Sequence, residues 1–382
     1  MENQKDLSFS GLVGLMLAST LTIMLGSAVV PALPKIAEQY CLGHLSGWVV
    51  TVPSIGVALC SLYSGKLIDK FGSYKMALIG LLLSGIFGTT TFLMPNVFLM
   101  LLFRFLLGGS AAIVIASSTS LISHFYTGKK QLKMIAVQGM VMQLGGVLFL
   151  TTSGRLAEIN WFSPFFIYSI NILTFIIILL FVPNFNNNNK LKRDNLKSNK
   201  AKNSKKNSSL IHTLILTFCV NIIFFTSVLK LPSYLQNDFG YSSTFTGNYI
   251  ATISLIAVIV IGFIPTIVAK FSNKIDLLIG LAAFSIAHFL LYISDSANLL
   301  YCSVIFMGIG FGLTQTLLNN LVVANSTDFN KGQNLSFYSL AMFSGQLIAT
   351  LISSIFISAS GFLVCSIIAL FVFIMTLILF EK

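Results

Sequence analysis

The chain has 382 residues, of which 55% are hydrophobic and only 9% are charged, and its mean hydropathy is +0.89. This composition excludes a soluble globular protein, because about a quarter of the residues in such a domain are charged. The formal net charge of +12 is compatible with a nucleic-acid partner or with a membrane protein, and the placement of the charges decides between them.

Twelve apolar segments follow one another along the chain, each close to the roughly 20 residues that cross a bilayer as a helix. The first begins after only three charged residues and lacks the short apolar core and removable end of a secretory signal. This pattern predicts an all-α polytopic membrane protein. The predicted spans are 9–31, 45–65, 75–94, 97–118, 133–156, 162–182, 210–230, 243–265, 275–294, 298–320, 333–356 and 359–380.

Lysine and arginine are concentrated on one side of these spans. If the N-terminus lies inside, the cytoplasmic segments hold all 23 basic residues except Lys35, Arg104, Arg155 and Lys230. This asymmetry is the positive-inside bias of membrane proteins, and it predicts that both termini are cytoplasmic. The basic charge therefore indicates topology, and no nucleic-acid partner is predicted.

Residues 183–209 interrupt the apolar pattern with a run of Lys, Asn and Ser. Such a segment has too little apolar surface to fold, so we predict a cytoplasmic linker between an N-terminal bundle, 1–182, and a C-terminal bundle, 210–382. Four matches at an offset of 200 residues relate the two bundles: Lys70-Phe71 with Lys270-Phe271, Leu78-Ile79-Gly80-Leu81 with Leu278-Ile279-Gly280-Leu281, Gly108 with Gly308, and Gly145 with Gly345. A parallel repeat of six helices is typical of a transporter whose substrate site lies between the halves, near the middle of the bilayer.

The segment 65–72, between the second and third spans, reads Gly-Lys-Leu-Ile-Asp-Lys-Phe-Gly. Its two glycines allow a neighbouring helix to approach closely, and its carboxylate suits the N-terminus of a helix. The basic side chains are able to pair with acids or with lipid phosphates. We therefore predict a gate at the inner side of the membrane, formed by Gly65, Asp69, Lys70, Gly72 and Lys75.

This segment resembles the signature Gly-x-Leu-x-Asp-Arg/Lys-x-Gly of the major facilitator superfamily, and the resemblance extends over essentially the whole chain. It implies twelve transmembrane helices in two six-helix bundles and transport by alternating access. The segments 104–112 and 145–154 resemble those of bacterial drug or metabolite:proton antiporters, although Phe149 and Leu150 replace a Gly-Pro pair. The resemblance thus implies a multi-pass protein of a bacterial cell membrane that works as a monomer with a small-molecule substrate, protons and membrane lipid.

Two charged residues are candidates for proton coupling. Arg104 lies deep in the fourth span, where a charge is costly and therefore indicates a function. A proton-driven transporter also needs a group that titrates, yet no Asp or Glu lies deep in any predicted span. We assign coupling to Arg104 and Glu158, although Arg155 at i−3 from Glu158 also favours a simple salt pair on one helix. His288 is interpreted as a core histidine.

Several amide side chains also lie within predicted spans. An amide that faces lipid is unfavourable, so these side chains should face the bundle interior, either bridging helices or binding cargo. Because the nearest cations are Arg104, Arg155 and Lys230 and no acid lies at depth, the sequence favours an anionic or zwitterionic cargo. The predicted cargo ligands are Gln143, Asn221, Gln315 and Gln346.

The sequence contains no phosphate-binding Gly-x-x-x-x-Gly-Lys-Ser/Thr motif, no His-Glu-x-x-His motif and no metal-binding cysteine spacing. No enzyme activity, cofactor or metal is therefore predicted. The predicted function is export of a small molecule by proton antiport, with an opine-type metallophore such as staphylopine as candidate cargo. Multidrug or antibiotic efflux and, less favoured, nutrient uptake are the alternatives; a membrane enzyme or receptor is least favoured.

Overall fold

Long apolar helices joined by short turns make up the chain. The computed structural model describes residues 7–126, 128–183, 204–270, 272–325, 331–356 and 359–379, and this part of the chain contains no β-strand. The N-terminal half consists of α1 (Phe9–Ser27), α2 (Leu33–Gln39), α3 (Trp48–Phe71), α4 (Ser73–Thr90), α5 (Val97–Phe125), α6 (Gly128–Ile159) and α7 (Ile170–Phe181). The C-terminal half consists of α8 (Ser204–Ser233), α9 (Ser243–Lys270), α10 (Asn273–Tyr292), α11 (Ala297–Ala324), α12 (Lys331–Ile355) and α13 (Ser360–Leu379).

The predicted all-α membrane fold is confirmed. Within the described residues, ten helical segments are long and apolar enough to cross a membrane. The other two predicted spans lie in α3 and α6, and α3 contributes a shorter apolar stretch, Trp48–Ser61, because its last two turns carry charges. The predicted linker lies outside the described residues from 184 to 203, while its last residues, 204–209, form the first turns of α8.

Capping residues and a glycine determine where several helices begin and end. Ser8 caps α1 by accepting a hydrogen bond from the backbone N–H of Gly11, and Asn96 caps α5 in the same way. Gly72 ends α3 with a φ of +88°, a backbone conformation that favours glycine. Its role in this structure is therefore to turn the chain from α3 into α4.

The glycines that match at the offset of 200 residues make the same helix contacts in both halves. Gly80 brings α4 against α5, and Gly280 brings α10 against α11. Gly108 brings α5 against α3, and Gly308 brings α11 against α9. Small residues allow membrane helices to approach closely, and here they do so at equivalent places in each half.

We predict that Gly108→Ala destabilises the protein, because the added methyl group would overlap the carbonyl group of Pro53. Overpacking of this kind costs about 1–3 kcal/mol. The matched control is Gly139→Ala on α6, where an added methyl group meets nothing within 4 Å. Thermal unfolding in detergent should show a lower midpoint for Gly108→Ala alone; equal midpoints for both variants would contradict this account of the helix contact.

Candidate cargo pathway between the two halves

The two halves meet through α3 and α12 at the end of the molecule opposite segment 65–72, which is called the outer end below. The hydroxyl groups of Thr51 and Thr350 hydrogen-bond across the halves. One turn further in, the hydroxyl of Ser54 donates to Oε1 of Gln346 over 2.8 Å. All four side chains are buried, and together they form what we call the outer clasp.

The halves also meet where α6 crosses α9, through two glycines. A methyl group added to Gly154 would lie 3.1 Å from Cα of Thr244 and 3.2 Å from Cα of Gly247. Only glycine allows two backbones to come this close. Gly154 is the last residue of the segment 145–154 that resembles antiporter sequences, but its partner on α9 was not predicted.

Two hydrogen bonds cross between the halves at the rim of the outer end. Oε1 of Glu158 accepts from the backbone N–H of Thr244 over 3.1 Å. The second also runs from a donor in the C-terminal half, since Nε2 of Gln236 donates to the carbonyl oxygen of Pro31 over 2.8 Å. The predicted salt pair between Glu158 and Arg155 is not among the contacts of the described residues, and Arg155 is exposed.

The inner end has a different arrangement. A methyl group added to Gly65 would meet nothing within 4 Å, and the side chains of Lys70 and Lys75 are exposed. Asp69 lies in the last turn of α3, and its side chain is not among the described ones. The side-chain contacts described between the halves lie toward the outer end.

Helix spacing places Gln143 on the face of α6 that meets α9. On α6, Leu150, Gly154 and Glu158 lie on the face that meets α9. Gln143 is seven residues before Leu150, which places it on the same face two turns toward the inner end. Its side chain is partly exposed, so it is available to a molecule that enters from the inner end.

The other predicted cargo ligands bind other parts of the protein. Nε2 of Gln315 donates to Oδ1 of Asn221 over 2.9 Å, and Oε1 of Gln315 accepts from the hydroxyl of Tyr338 over 2.9 Å. Gln346 is part of the outer clasp. In this state Asn221, Gln315 and Gln346 therefore bridge helices, and the structure does not bring them together with Gln143 in one cluster.

Arg104 lies inside the N-terminal half and has no solvent-exposed surface. Nη1 donates to the hydroxyl of Tyr168 over 2.7 Å, and that hydroxyl lies 3.0 Å from the carbonyl oxygen of Leu25. The guanidinium group also lies 5.1 Å from the ring centre of Phe165. Its Nε and Nη2 atoms have no hydrogen-bond partner among the described residues, so an incompletely satisfied cation connects α5, α1 and the 3₁₀ turn before α7.

Lys230 lies at the outer end, and not at the centre of the pathway. Its ammonium group hydrogen-bonds to the carbonyl oxygen of Phe356, where α12 ends, and lies against Gly361. It contributes to the wall of a cavity of about 950 Å³ between the halves, which we call the outer vestibule. Other residues of this wall are Lys35, Glu38, Glu158, Gln236, Asp238 and Tyr241.

Two ionisable residues inside helices were missed or discounted from the sequence. Asp276, in the first turn of α10, is fully buried, and neither carboxylate oxygen has a hydrogen-bond partner among the described residues. The expectation that no acid lies deep in a span left it out of consideration, because it stands next to the predicted boundary at 275. His288 is also fully buried and hydrogen-bonds to Ser227 and to the carbonyl oxygen of Phe284.

The described residues contain no group of three His, Cys, Asp or Glu that could hold a metal ion.

A family model described as Major Facilitator Superfamily matches residues 15–328 and, in a second match, 213–382. The chain belongs to the major facilitator superfamily. The predicted family, and with it the expectation of a transporter that is not an enzyme, is thereby confirmed.

Curated relatives of this superfamily member include drug resistance proteins of Bacillus subtilis and Staphylococcus aureus. Multidrug resistance protein 2 of Bacillus subtilis is 23% identical over 328 residues, which cover 82% of this chain and 81% of the relative. The uncharacterised MFS-type transporter YceJ of Bacillus subtilis is 31% identical over 153 residues, but only 39% of this chain and 38% of that relative are aligned. The quinolone resistance protein NorA of Staphylococcus aureus is 27% identical over 30% of this chain and 29% of its own length.

Solved structures support the same fold at low sequence identity. The nucleoside transporter NupG superposes with a TM-score of 0.79 at 12% identity, covering 97% of this chain and 100% of that one. A bacterial homologue of the human lysosomal transporter Spinster, in an inward-facing and unoccupied conformation, gives a TM-score of 0.75 at 16% identity. The superposition covers 90% of this chain and 81% of that one. At these identities the likeness concerns the fold alone.

We predict that the two sides of the outer clasp are energetically coupled. Ser54→Ala or Gln346→Ala alone leaves a buried partner without its hydrogen bond, whereas the double variant removes both groups. A double-mutant cycle on unfolding in mixed micelles should give a coupling energy of about 0.5–1.5 kcal/mol.

The control cycle combines Gln346→Ala with Ser84→Ala. Ser84 is also buried, but its hydroxyl bonds only to the carbonyl oxygen of Leu81 on its own helix. This second cycle should be additive within experimental error. Additivity in both cycles would show that the Ser54–Gln346 hydrogen bond does not hold the halves together.

Proposed function

We propose that this protein is a secondary active transporter that exports small, uncharged or amphipathic molecules in exchange for protons by alternating access. The observation that carries the proposal is the asymmetry of contact between the halves. The outer clasp, the crossing of α6 and α9, and the two rim hydrogen bonds all lie at the outer end. At the inner end, a methyl group added to Gly65 or Gly72 would meet nothing within 4 Å among the described residues.

This arrangement fits an inward-open state. With the cytoplasmic termini predicted from the basic residues, the inner end faces the cytoplasm, and cargo would enter there and approach Gln143. The outer contacts are few and consist of neutral hydroxyl and amide groups, two glycines and one carboxylate. Contacts of this kind are weak enough to break and re-form, as alternation between two states requires.

The nature of the cargo follows from which charges reach the pathway. Arg104 is enclosed in the N-terminal half, Arg155 is exposed, and Lys230 lies in the wall of the outer vestibule. These three cations were the reason to expect an anionic cargo, and none of them lies beside Gln143. An uncharged or amphipathic cargo therefore fits the described pathway better, and it agrees with the multidrug and quinolone resistance named for two relatives.

An anionic or zwitterionic metabolite, such as an opine-type metallophore, stays a prediction from the sequence, and so does uptake of a nutrient. The transport test below therefore includes a carboxylate-bearing compound. The compound that moves identifies the charge class of the cargo, and the direction of movement distinguishes export from uptake. We assign the plasma membrane of a bacterium as the location, with both termini cytoplasmic and one chain as the transporting unit.

Proton coupling is assigned to Arg104 as an indirect role. Arginine stays protonated in proteins, so it cannot itself carry the exchanged proton. A buried cation does, however, change the energy of neighbouring charges and of the polar groups that it orders. Nη1 of Arg104 donates to the carbonyl oxygen of Leu25 over 3.5 Å, which connects it with α1.

We predict that the gate carboxylate Asp69 controls turnover. Asp69→Asn removes the charge that would bind the opposite half in the outward-open state, so the maximal rate should fall while cargo affinity changes little. The measurement is initial efflux against cargo concentration. The control is Lys66→Gln, an exposed neighbour outside the proposed gate. A raised half-saturation concentration with an unchanged maximal rate would exclude the gating role.

Export itself is tested in everted membrane vesicles with an imposed proton gradient. A lipophilic aromatic dye should accumulate in vesicles that contain the protein and leave when the gradient is dissipated, whereas an opine-type carboxylate should not. We predict that Arg104→Ala loses gradient-driven accumulation, with Arg104→Lys as the variant that keeps the charge.

Membrane insertion and monodispersity of each variant are checked first, because Arg104 also packs against Phe165 and Tyr168. Wild-type rates in a well-folded Arg104→Ala variant would remove the coupling role. Accumulation of the carboxylate compound alone would replace the proposed cargo class, and movement in the opposite direction would indicate uptake.

A further inference from the structure

The carboxylate of Glu158 occupies the N-terminus of α9, a helix of the opposite half. Its Oε1 lies 3.1 Å from the backbone nitrogen of Thr244, the second residue of that helix. The first N–H groups of a helix have no acceptor within it, and the helix dipole favours a negative charge there. Ser242 hydrogen-bonds to the backbone N–H of Phe245 in the same turn, so two donors of this helix end are satisfied by side chains.

The charges around Glu158 favour this placement. From α2, Nζ of Lys35 donates to the carbonyl oxygen of Ala157 over 2.7 Å, which holds a cation beside the carboxylate. On α6 itself, Arg155 is exposed one turn away. The first turn of α9 offers only hydroxyl and backbone groups. Two further carboxylates, Glu38 and Asp238, line the same outer vestibule without a described bond across the halves.

The hydrogen bonds also determine when this carboxylate is charged. Those from Ser242 and Thr244 lower the pKa of Glu158, which lies beyond the predicted span, below its ordinary value. A group whose pKa is lower in the closed state stabilises that state above its ordinary pKa, and the stabilisation is lost as the pH falls through the lowered value. Because an unperturbed glutamate has a pKa of about 4.3, the contact stays at full strength at neutral and mildly acidic pH.

We propose that Glu158 is the outer latch of the transport cycle. Its ionised carboxylate holds the outer end closed while the inner end is open, and it leaves the N-terminus of α9 when the outer end opens. Glu158 is thus a positioning residue that acts on the equilibrium between the two states and does not carry the exchanged proton. This inference rests on the proposed alternating access, and it gives Glu158 a role different from the proton coupling first assigned to it.

The test measures the opening of the outer end directly. Spin labels are attached to Pro95→Cys and Ser296→Cys, exposed positions in outer turns of the two halves, in a variant that lacks the five native cysteines. Electron–electron resonance in liposomes then gives the distance between them from pH 8 to pH 5.5. The wild-type distribution should be dominated by the short, closed distance and should not change over this range.

Glu158→Gln should shift the ratio of closed to open molecules about two- to fivefold toward open, since one charge–dipole contact at an exposed site has this strength. Glu158→Asp keeps the charge and should shift it less. Glu38→Gln removes a carboxylate from the same vestibule and should leave the ratio unchanged. An unchanged ratio in Glu158→Gln, an equal shift in Glu38→Gln, or opening of the wild-type protein as the pH falls to 5.5 would each overturn the latch.

The distance measurement needs neither cargo nor a gradient, so its result is independent of the export assay. A shifted ratio in Glu158→Gln together with no export in vesicles would leave the latch standing and reject the proposed function. Export by the wild-type protein with no shift in the variant would support the proposed function and reject the latch.

Discussion

In the interior of a membrane protein, every polar group has to find its hydrogen-bond partner within the protein, because the bilayer core contains no water to replace it. Most of the buried hydroxyl groups here meet this constraint within their own helix, as Thr217 does with the carbonyl oxygen of Thr213. The amides are longer and reach other helices, as Gln138 reaches Ser19. Buried amides such as Gln138 are thereby committed to holding helices together and are not free to bind a cargo.

The same constraint explains how the halves can be joined and separated. The outer clasp pairs hydroxyl with hydroxyl and hydroxyl with amide, so opening exposes neutral groups that water satisfies at modest cost. The charged contact between the halves, at Glu158, lies on the rim, where the solvent can reach the carboxylate after release. Charges that lie deeper, such as Arg104, are enclosed within one half and need not separate from their partners when the halves move.

Hydropathy was sufficient to predict an all-α membrane protein with many spans, since each span depends on composition over about 20 residues. The motif at 65–72 was sufficient to predict the family. The glycine matches also indicated equivalent helix contacts, because a glycine that recurs at a fixed offset often marks a place where two helices pack closely. Partners of single side chains could not be predicted in this way. Asn221 and Gln315 meet because of the rotation of α8 and α11 about their axes, which one sequence does not determine.

Glu158 shows the same limit for charges. Sequence spacing offered Arg155, three residues away, whereas the partner is a backbone group 86 residues further along the chain. Asp276 was overlooked for another reason, because a span boundary uncertain by a few residues hides an acid in the first turn of a helix.

The backbone contact of Gly154 with α9 also has a mechanical consequence. The contact lies near the outer end of two long helices. Each of α6 and α9 therefore extends only a short way from it toward the outer end and a long way toward the inner end. Because a helix rises 1.5 Å per residue, a tilt of about 15° around this point would move a part of the helix that lies 20 residues away by about 8 Å. Under the proposed alternating access, a displacement too small to break helix packing at this contact would therefore be wide enough at the inner end to admit or exclude an aromatic ring.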